Sequence, residues 1–368
     1  MKSPAVRPLR AALGALCALT ITACAGPGDA REARAADAGA RNDGTASVAA
    51  DSVRPAPSTG PVTDLPPNEL GRIPVLEYHL LGDKGSMWMV ERERFRQNLQ
   101  LLYDRGYRPV TLAEVLDKRI DLPAGTSPVV FTFDDASPSQ FSYIEQPDGS
   151  LKIDPNSALG IWLAFRQQHP EWRNRATFCL LPAAEAGHAF FGDKPKYAGQ
   201  KKEWRYPKVK FLADSGFELC NHTLWHAQLN KYPDAFVQEQ IARAQMAIDS
   251  AVPGYRVRTL ALPQGLWPKN RALAWKGTWT DPRGKRTVAY SYDAVLEVAG
   301  GPARSPHDPQ FDPKRIPRVI VFAKQLEHTL DQLDRAKTRY VSDGNPRTIA
   351  RPAAAIATTP AAVSPPAR

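Results

Sequence analysis

Two hydrophobic periods alternate along the middle of the chain. Short and nearly continuous apolar runs stand at Ile73–His79, Val129–Asp135, Ala176–Leu181, Phe217–His222, Arg258–Pro263, Val288–Val295 and Arg318–Phe322. Continuous apolar character marks strands buried on both faces, as in parallel sheets. Between them the spacing changes to three and four. Phe95, Leu99, Leu102 and Tyr103 share one helical face, and Leu159, Trp162 and Phe165 share another behind Ser157, a good N-cap. Ala235 to Ile248 and Leu326 to Leu333 read as further helices. Strands alternating with helices predict a parallel α/β fold. Seven strands in about 270 residues suit a barrel or an incomplete barrel, whose chemistry collects at the C-terminal ends of the strands.

The flanks follow a different pattern. From Ala25 to Glu69 the chain is Ala, Asp, Arg, Pro, Gly and Ser without an aromatic residue, and 343–368 is rich in Pro and Ala. Neither can bury a core, so 24–69 reads as a tether, 70–342 as the folded domain and 343–368 as a tail. Before the tether, Lys2, Arg7 and Arg10 precede a short apolar stretch, Ala11 to Ala23, of signal-peptide length. Its end, Ile21-Thr22-Ala23-Cys24, resembles the lipobox of bacterial lipoproteins. That resemblance implies a signal peptide over 1–23, lipid on Cys24 and a membrane anchor at the N-terminus. It implies a place in the cell envelope facing the periplasm or the exterior. No Asp follows Cys24 within two residues, which favours the outer membrane over the inner.

Composition narrows the picture. With 43% hydrophobic and 23% charged among 368 residues, wholesale disorder is excluded. Four cysteines are too few for a disulfide scaffold. Cys179 and Cys220 fall on neighbouring predicted strands, where buried free thiols are the default expectation. The net charge of +10 favours anionic partners such as envelope polymers or lipid headgroups, and export argues against nucleic acid.

Candidate chemistry stands at strand ends. Val129 to Phe133 runs into Asp134-Asp135, and Phe217 to Cys220 runs into Asn221-His222-Thr223-Leu224-Trp225-His226. Two adjacent carboxylates at a buried strand end are costly unless partnered, and a cation would relieve them. Two histidines four residues apart can be aimed at one ion. His79 ends the first strand and is a further catalytic candidate. Trp225 and Trp267, with Pro263, are candidates for lining a substrate cleft, and the loop from Ala136 to Asn156 is long enough to be functional.

The segments Thr132-Phe133-Asp134-Asp135 and His222-Thr223-Leu224-Trp225-His226 together resemble the first two motifs of polysaccharide deacetylases, the family 4 carbohydrate esterases. Pro74 to His79 and Phe95 to Thr111 resemble the branch containing poly-N-acetylglucosamine deacetylases. The resemblance implies a distorted (β/α) barrel with about seven parallel strands. It implies Asp135, His222 and His226 as ligands of one divalent metal ion, Zn²⁺ first, with Co²⁺, Ni²⁺, Mn²⁺ or Fe²⁺ able to occupy such a set. Asp134 would be the general base and Arg258 the residue that orients it. Two imidazoles and one carboxylate leave coordination positions open, as catalytic sites require.

The sequence also departs from the family. Pro263-Gln264-Gly265 carries Gln264 where an aromatic residue is usual, and there is no clear match to the family's late motif that supplies a Leu-x-His general acid. The expected activity is removal of N-acetyl groups from an N-acetylglucosamine-containing envelope or extracellular polysaccharide. O-acetyl esterase activity on the same site and an inert glycan-binding lipoprotein are the alternatives.

Overall fold

A computed structural model describes residues 59–184 and 188–352 of the chain. Seven parallel strands close into a ring: β1 Val75–Tyr78, β2 Ser127–Phe133, β3 Thr177–Leu180, β4 Glu218–Asn221, β5 Thr259–Ala261, β6 Ala294–Gly300 and β7 Ile316–Ile320. They follow chain order around the ring, and β1 closes it by pairing with both β2 and β7. A short strand, Tyr107–Pro109, pairs outside the ring with the start of β2. Helices α1 Arg92–Asp104, α2 Leu112–Leu116, α3 Ala158–Gln168, α4 Arg205–Asp214, α5 Asp234–Ala251 and α6 Gln325–Arg335 surround it. This is a distorted (β/α)₇ barrel, as expected. Among the described residues no helix is long and apolar enough to cross a membrane.

The strand period of two sorts the side chains into an outer and an inner set. Leu76, Tyr78, Phe131, Phe133 and Phe178 face outward and pack on Phe95, Leu99 and Leu102 of α1 and Trp162 of α3. Val75, Val130, Cys179, Cys220, Leu296 and Ile316 face inward and fill the lower lumen. One step higher, the same alternation places Glu77, Thr132 and Arg318 inside, and above them the side chains at the strand ends. The lumen is thus apolar at its base and charged at its mouth. Ser157 caps α3 as expected, its Oγ accepting the Gly160 N–H at 3.1 Å.

Several expectations need correction. Cys179 and Cys220 are not free thiols. They lie directly opposite each other on β3 and β4, both facing the lumen with Cα atoms 4.3 Å apart, and form a disulfide. The run at Val288–Val295 is two elements: Thr287–Ser291 pairs antiparallel with Lys276–Thr280 in a hairpin, and β6 begins only at Ala294. The hairpin stands where a barrel helix would, between β5 and β6.

The boundary residues also fold. Thr63 N–H donates to Gly125 O at 2.8 Å, Asn68 bridges to Val341, and Glu69 exchanges hydrogen bonds with Ala350. Backbone pairing holds this clasp, so an apolar pattern could not reveal it. The signal segment, Cys24, the remaining tether to residue 58 and the tail from 353 lie outside the described residues.

Candidate active site at the barrel mouth

The two motifs meet because β2 and β4 end at the same rim with β3 between them. Each turns there through left-handed backbone. Asp135 (φ 77°), Ala136 (φ 49°), Thr223 (φ 69°) and His226 (φ 65°) adopt a conformation that non-glycine residues rarely take. Such strain persists where surrounding contacts over-determine it. Here Asn221 Oδ1 accepts the Thr223 N–H at 2.7 Å, while Asn221 Nδ2 donates to Ile241 O and Tyr292 Oη. Thr223 Oγ1 accepts the His226 N–H, and Gln240 Oε1 on α5 accepts that of Trp225. On the other side Gln140 Nε2 donates to the carbonyls of Asp134 and His79.

These turns converge three donor atoms. Asp135 Oδ1 lies 3.4 Å from His222 Nε2 and 3.6 Å from His226 Nε2, and the two rings are 4.9 Å apart. His222 Nδ1 lies 2.9 Å from Ala261 O. A carbonyl only accepts, so Nδ1 carries the proton and Nε2 keeps its lone pair. That Nε2 is buried and has no hydrogen-bond partner. A buried acceptor without a donor, facing a carboxylate and a second imidazole, is the donor set of a borderline-soft divalent cation. The residues present fit the implied metal. Burial, and then His222, hold the His226 pKa down at about 4, so its imidazole is neutral at ordinary pH. Burial opposes ionisation of Asp135, but its surroundings, His222 first, outweigh that and lower its pKa.

Asp134 stands beside this triad and does something different. Both its oxygens are gripped by Arg318, Nη1 to Oδ1 and Nη2 to Oδ2, each at 2.8 Å. Arg318 also donates to Thr132 Oγ1, Glu77 Oε1 and Glu297 O. These partners are all acceptors, on β1, on β2 or just after it, and on β6. Burial alone would protonate Asp134; Arg318 and then His222 reverse that and lower its pKa. Burial does raise the pKa of Glu77, whose other oxygen has no partner. One guanidinium thus faces one carboxyl group whose pKa is lowered and one whose pKa is raised.

This corrects the role expected of Arg258, which does not touch Asp134. It precedes β5 at the base of the barrel and binds Asp117 with both terminal nitrogens at 3.0 and 2.7 Å and Asp293 through Nε at 2.6 Å. Arg318 and Glu77 were missed. The signal was present in Ile316-Pro317-Arg318-Val319-Ile320, where a charge inside a buried strand demands an internal partner.

The structure also brings His79 to the rim. Its Nε2 is 3.5 Å from Glu77 Oε1, its ring packs edge-on to Trp88, and burial lowers its pKa. Burial lowers the His188 pKa, and Asp135 partly opposes it. Trp225 lies between the two histidine ligand candidates, 47% exposed. Trp267 is half-buried, donating from Nε1 to Glu297 Oε1. Pro263 is buried below Gln264, which takes φ 56° and accepts from Gln228. The loop after Asp135 carries a small hairpin, Tyr143–Glu145 with Leu151–Ile153.

No curated protein matches this chain. Among solved structures it is similar to a deacetylase of Streptococcus pyogenes, PplD, in complex with acetate, at 18% identity over 71% of this chain and 97% of that one, TM-score 0.49. It is similar to BC0361, a polysaccharide deacetylase from Bacillus cereus, at 18% identity over 71% and 68%, TM-score 0.49. IcaB from Ammonifex degensii follows at 18% over 71% and 96%, TM-score 0.47. The segment 173–277 carries β3, β4, β5 and both histidines of the triad, and it matches the family model described as polysaccharide deacetylase, the family that the motifs at Asp134-Asp135 and His222 to His226 resemble.

Proposed function

We propose that the protein is a metal-dependent hydrolase that removes N-acetyl groups from an N-acetylglucosamine-containing envelope or extracellular polysaccharide. The observation that carries this reading is Asp134, an ionised carboxylate clamped beside three convergent ligand atoms, one of them the orphaned His222 Nε2. Asp135 Oδ1, His222 Nε2 and His226 Nε2 would hold the ion, Zn²⁺ first by donor type. When bound, it would supply Lewis acidity toward the acyl carbonyl and the attacking water.

The chain's own residues supply the proton chemistry. Asp134 accepts a proton as water adds to the acyl carbon. Arg318 keeps that carboxylate ionised and fixes its angle through two parallel hydrogen bonds. The carbon–nitrogen bond then breaks, a proton passes to the departing amine, and acetate remains. His79, with Glu77 Oε1 at 3.5 Å, is the residue we assign to pass that proton to the departing nitrogen. Trp225, Pro263 and Trp267 would line the cleft.

Lipidation at Cys24 and a place in the cell envelope belong to the same proposal, supported by the lipobox-like residues and by a disulfide suited to an oxidising compartment.

The test is acetate release by residues 59–352 with added Zn²⁺ or Co²⁺, from N-acetylglucosamine oligomers, peptidoglycan and O-acetylated xylan. Release from an N-acetylated polymer, lost in Asp134→Asn while metal binding persists, is the expected result. Release from xylan alone would make the protein an esterase. Silence on all substrates with metal bound would make it a glycan binder.

A further inference from the structure

One buried cation has no part in the chemistry above. Lys208 lies on α4 and is fully buried. Among the described residues it forms no ion pair with a carboxylate. Its Nζ donates instead to Phe191 O at 2.8 Å and to Gln200 Oε1 at 2.6 Å, with the rings of Phe141 and Tyr143 5.9 and 5.8 Å away. Burial pulls its pKa down to about 7. A methionine would fill similar space without the cost of desolvating an ammonium, so packing alone does not account for a lysine here.

The two acceptors lead to the triad. Phe190 (φ 44°) and Phe191 (φ 68°) form a left-handed turn in the loop after β3. Phe190 N–H donates to Leu181 O at 3.0 Å, and Phe191 N–H donates to Ala136 O at 2.8 Å. Ala136 directly follows Asp135, and both take the left-handed backbone that brings Asp135 Oδ1 to the histidines. Gln200, also fully buried, accepts the Tyr143 N–H and donates to Tyr143 O, which fastens the same loop seven residues further on. Between the two points stands Gly192, with φ 93°; a Cβ there would meet Pro138 Cγ at 3.0 Å. One ammonium therefore ties α4 to two points of the segment that leaves Asp135. Its long apolar stem and rotatable donors suit a link between acceptors on separate segments. Left-handed turns of non-glycine residues persist only where such contacts over-determine them.

Resting on the metal-dependent reading above, we propose that Lys208 is a positioning residue for Asp135: through Phe191 and Ala136 it fixes the turn that sets this carboxylate against His222 and His226. It acts through the backbone and reaches none of the three donor atoms itself. The rim then has two braces. Gln140 holds the carbonyls of Asp134 and His79 on one side, and the link from Lys208 holds Ala136 on the other.

The experiment is calorimetric titration of Zn²⁺ into wild type and Lys208→Met. Thermal melts of both metal-free proteins and visible absorption spectra of their Co²⁺-loaded forms accompany it. The variant should bind Zn²⁺ about tenfold more weakly, the scale found for groups that orient metal ligands. Its metal-free Tm should stay within about 4 °C of wild type. Its Co²⁺ bands should shift, because they report ligand geometry. A lowered Tm with unchanged Zn²⁺ affinity and Co²⁺ bands would make Lys208 merely structural and overturn the proposal. Hydrogen exchange in the wild type tests the link without any variant. Zn²⁺ should slow exchange of the Phe191 amide at least about tenfold, and an unchanged rate would overturn the proposal even where Lys208→Met fails to fold. Wild-type protein that binds no Zn²⁺ would overturn the metal-dependent reading and the positioning role together. Wild-type binding that the variant fully retains would overturn the positioning role alone.

Discussion

Arg258 and Arg318 sit at opposite ends of the same barrel. Each meets two carboxyl groups, yet they do different work. Arg258 at the base is a fifth exposed and ties Asp117 behind α2 to Asp293 before β6. Water can replace any of those contacts. Arg318 near the mouth is fully buried, as are Glu77 and Asp134. Nothing can replace its contacts, so removing one partner strands a charge. Partly exposed pairs contribute on the order of 0–1 kcal/mol, whereas breaking a buried one costs about 3–5 kcal/mol. The base uses charge to pin loops; the mouth uses it to fix the ionisation and angle of one carboxylate. The left-handed residues Asp135, Ala136, Thr223, His226 and Gln264 belong to the mouth as well. Left-handed backbone and buried charge meet where the triad forms, and the apolar lower lumen with its disulfide lies beneath them.

The sharpest way to break that contrast is to remove each guanidinium. Arg318→Met should lower kcat by about 10²–10³, since Asp134 loses its orientation and its ionisation together. Arg318→Lys should recover little, because a point charge cannot make the parallel pair of bonds to Asp134. Arg258→Met should leave kcat within about twofold and cost on the order of 1 kcal/mol of stability in thermal melts. Equal kinetic losses in the two variants would end the distinction.

The next effect separates the ends by metal. Zn²⁺ at about 100 times its Kd should stabilise the folded state by about 2.7 kcal/mol, roughly 5–10 °C in Tm for a domain of this size. His222→Ala and Asp135→Ala should abolish that increment. Cys179→Ala with Cys220→Ala should lower Tm at every Zn²⁺ concentration yet keep the increment. A disulfide variant that loses the Zn²⁺ response would show that the lower lumen takes part in ligand placement.

How much of this was legible beforehand depends on the kind of contact. Strands β1 to β5 were readable because both faces are apolar, and α1 because Phe95, Leu99 and Leu102 repeat at helical spacing. Asp134, Asp135, His222 and His226 were readable because each pair directly follows such a strand. Arg318 was present in a quoted strand, but its partners Glu77 and Asp134 lie 241 and 184 positions away. Only the closure of β7 onto β1 brings them together. Arg258 was favoured by motif order, which carries no information on which end of a strand a residue occupies. The clasp of Asn68 and Glu69 with Val341 and Ala350 is backbone pairing and leaves no mark in side-chain pattern. The disulfide needed the register of β3 against β4, which hydrophobicity does not encode.

The smallest expected effect tests whether the base titrates without disturbing the mouth. Glu218 begins β4, four residues before His222. Its Oε2 accepts the Leu112 N–H at 2.8 Å and the Thr177 hydroxyl at 3.1 Å. Burial pushes its pKa up to about 7, and those hydrogen bonds only partly oppose the rise. A raised folded-state pKa means that the folded chain holds the proton more tightly than the unfolded chain. The resulting stability is fully present below about pH 4.5 and is lost as pH rises through about 7. Wild-type Tm should therefore fall across that window relative to Glu218→Gln, by an amount equivalent to about 1–3 kcal/mol. The deacetylase rate at saturating substrate should show the same pH profile in both proteins, because Asp134 and the triad belong to a separate network around Arg318. A Glu218→Gln variant with a displaced rate profile would mean that charge at the base is felt at the mouth through β4, and the two ends would have to be treated as one electrostatic unit.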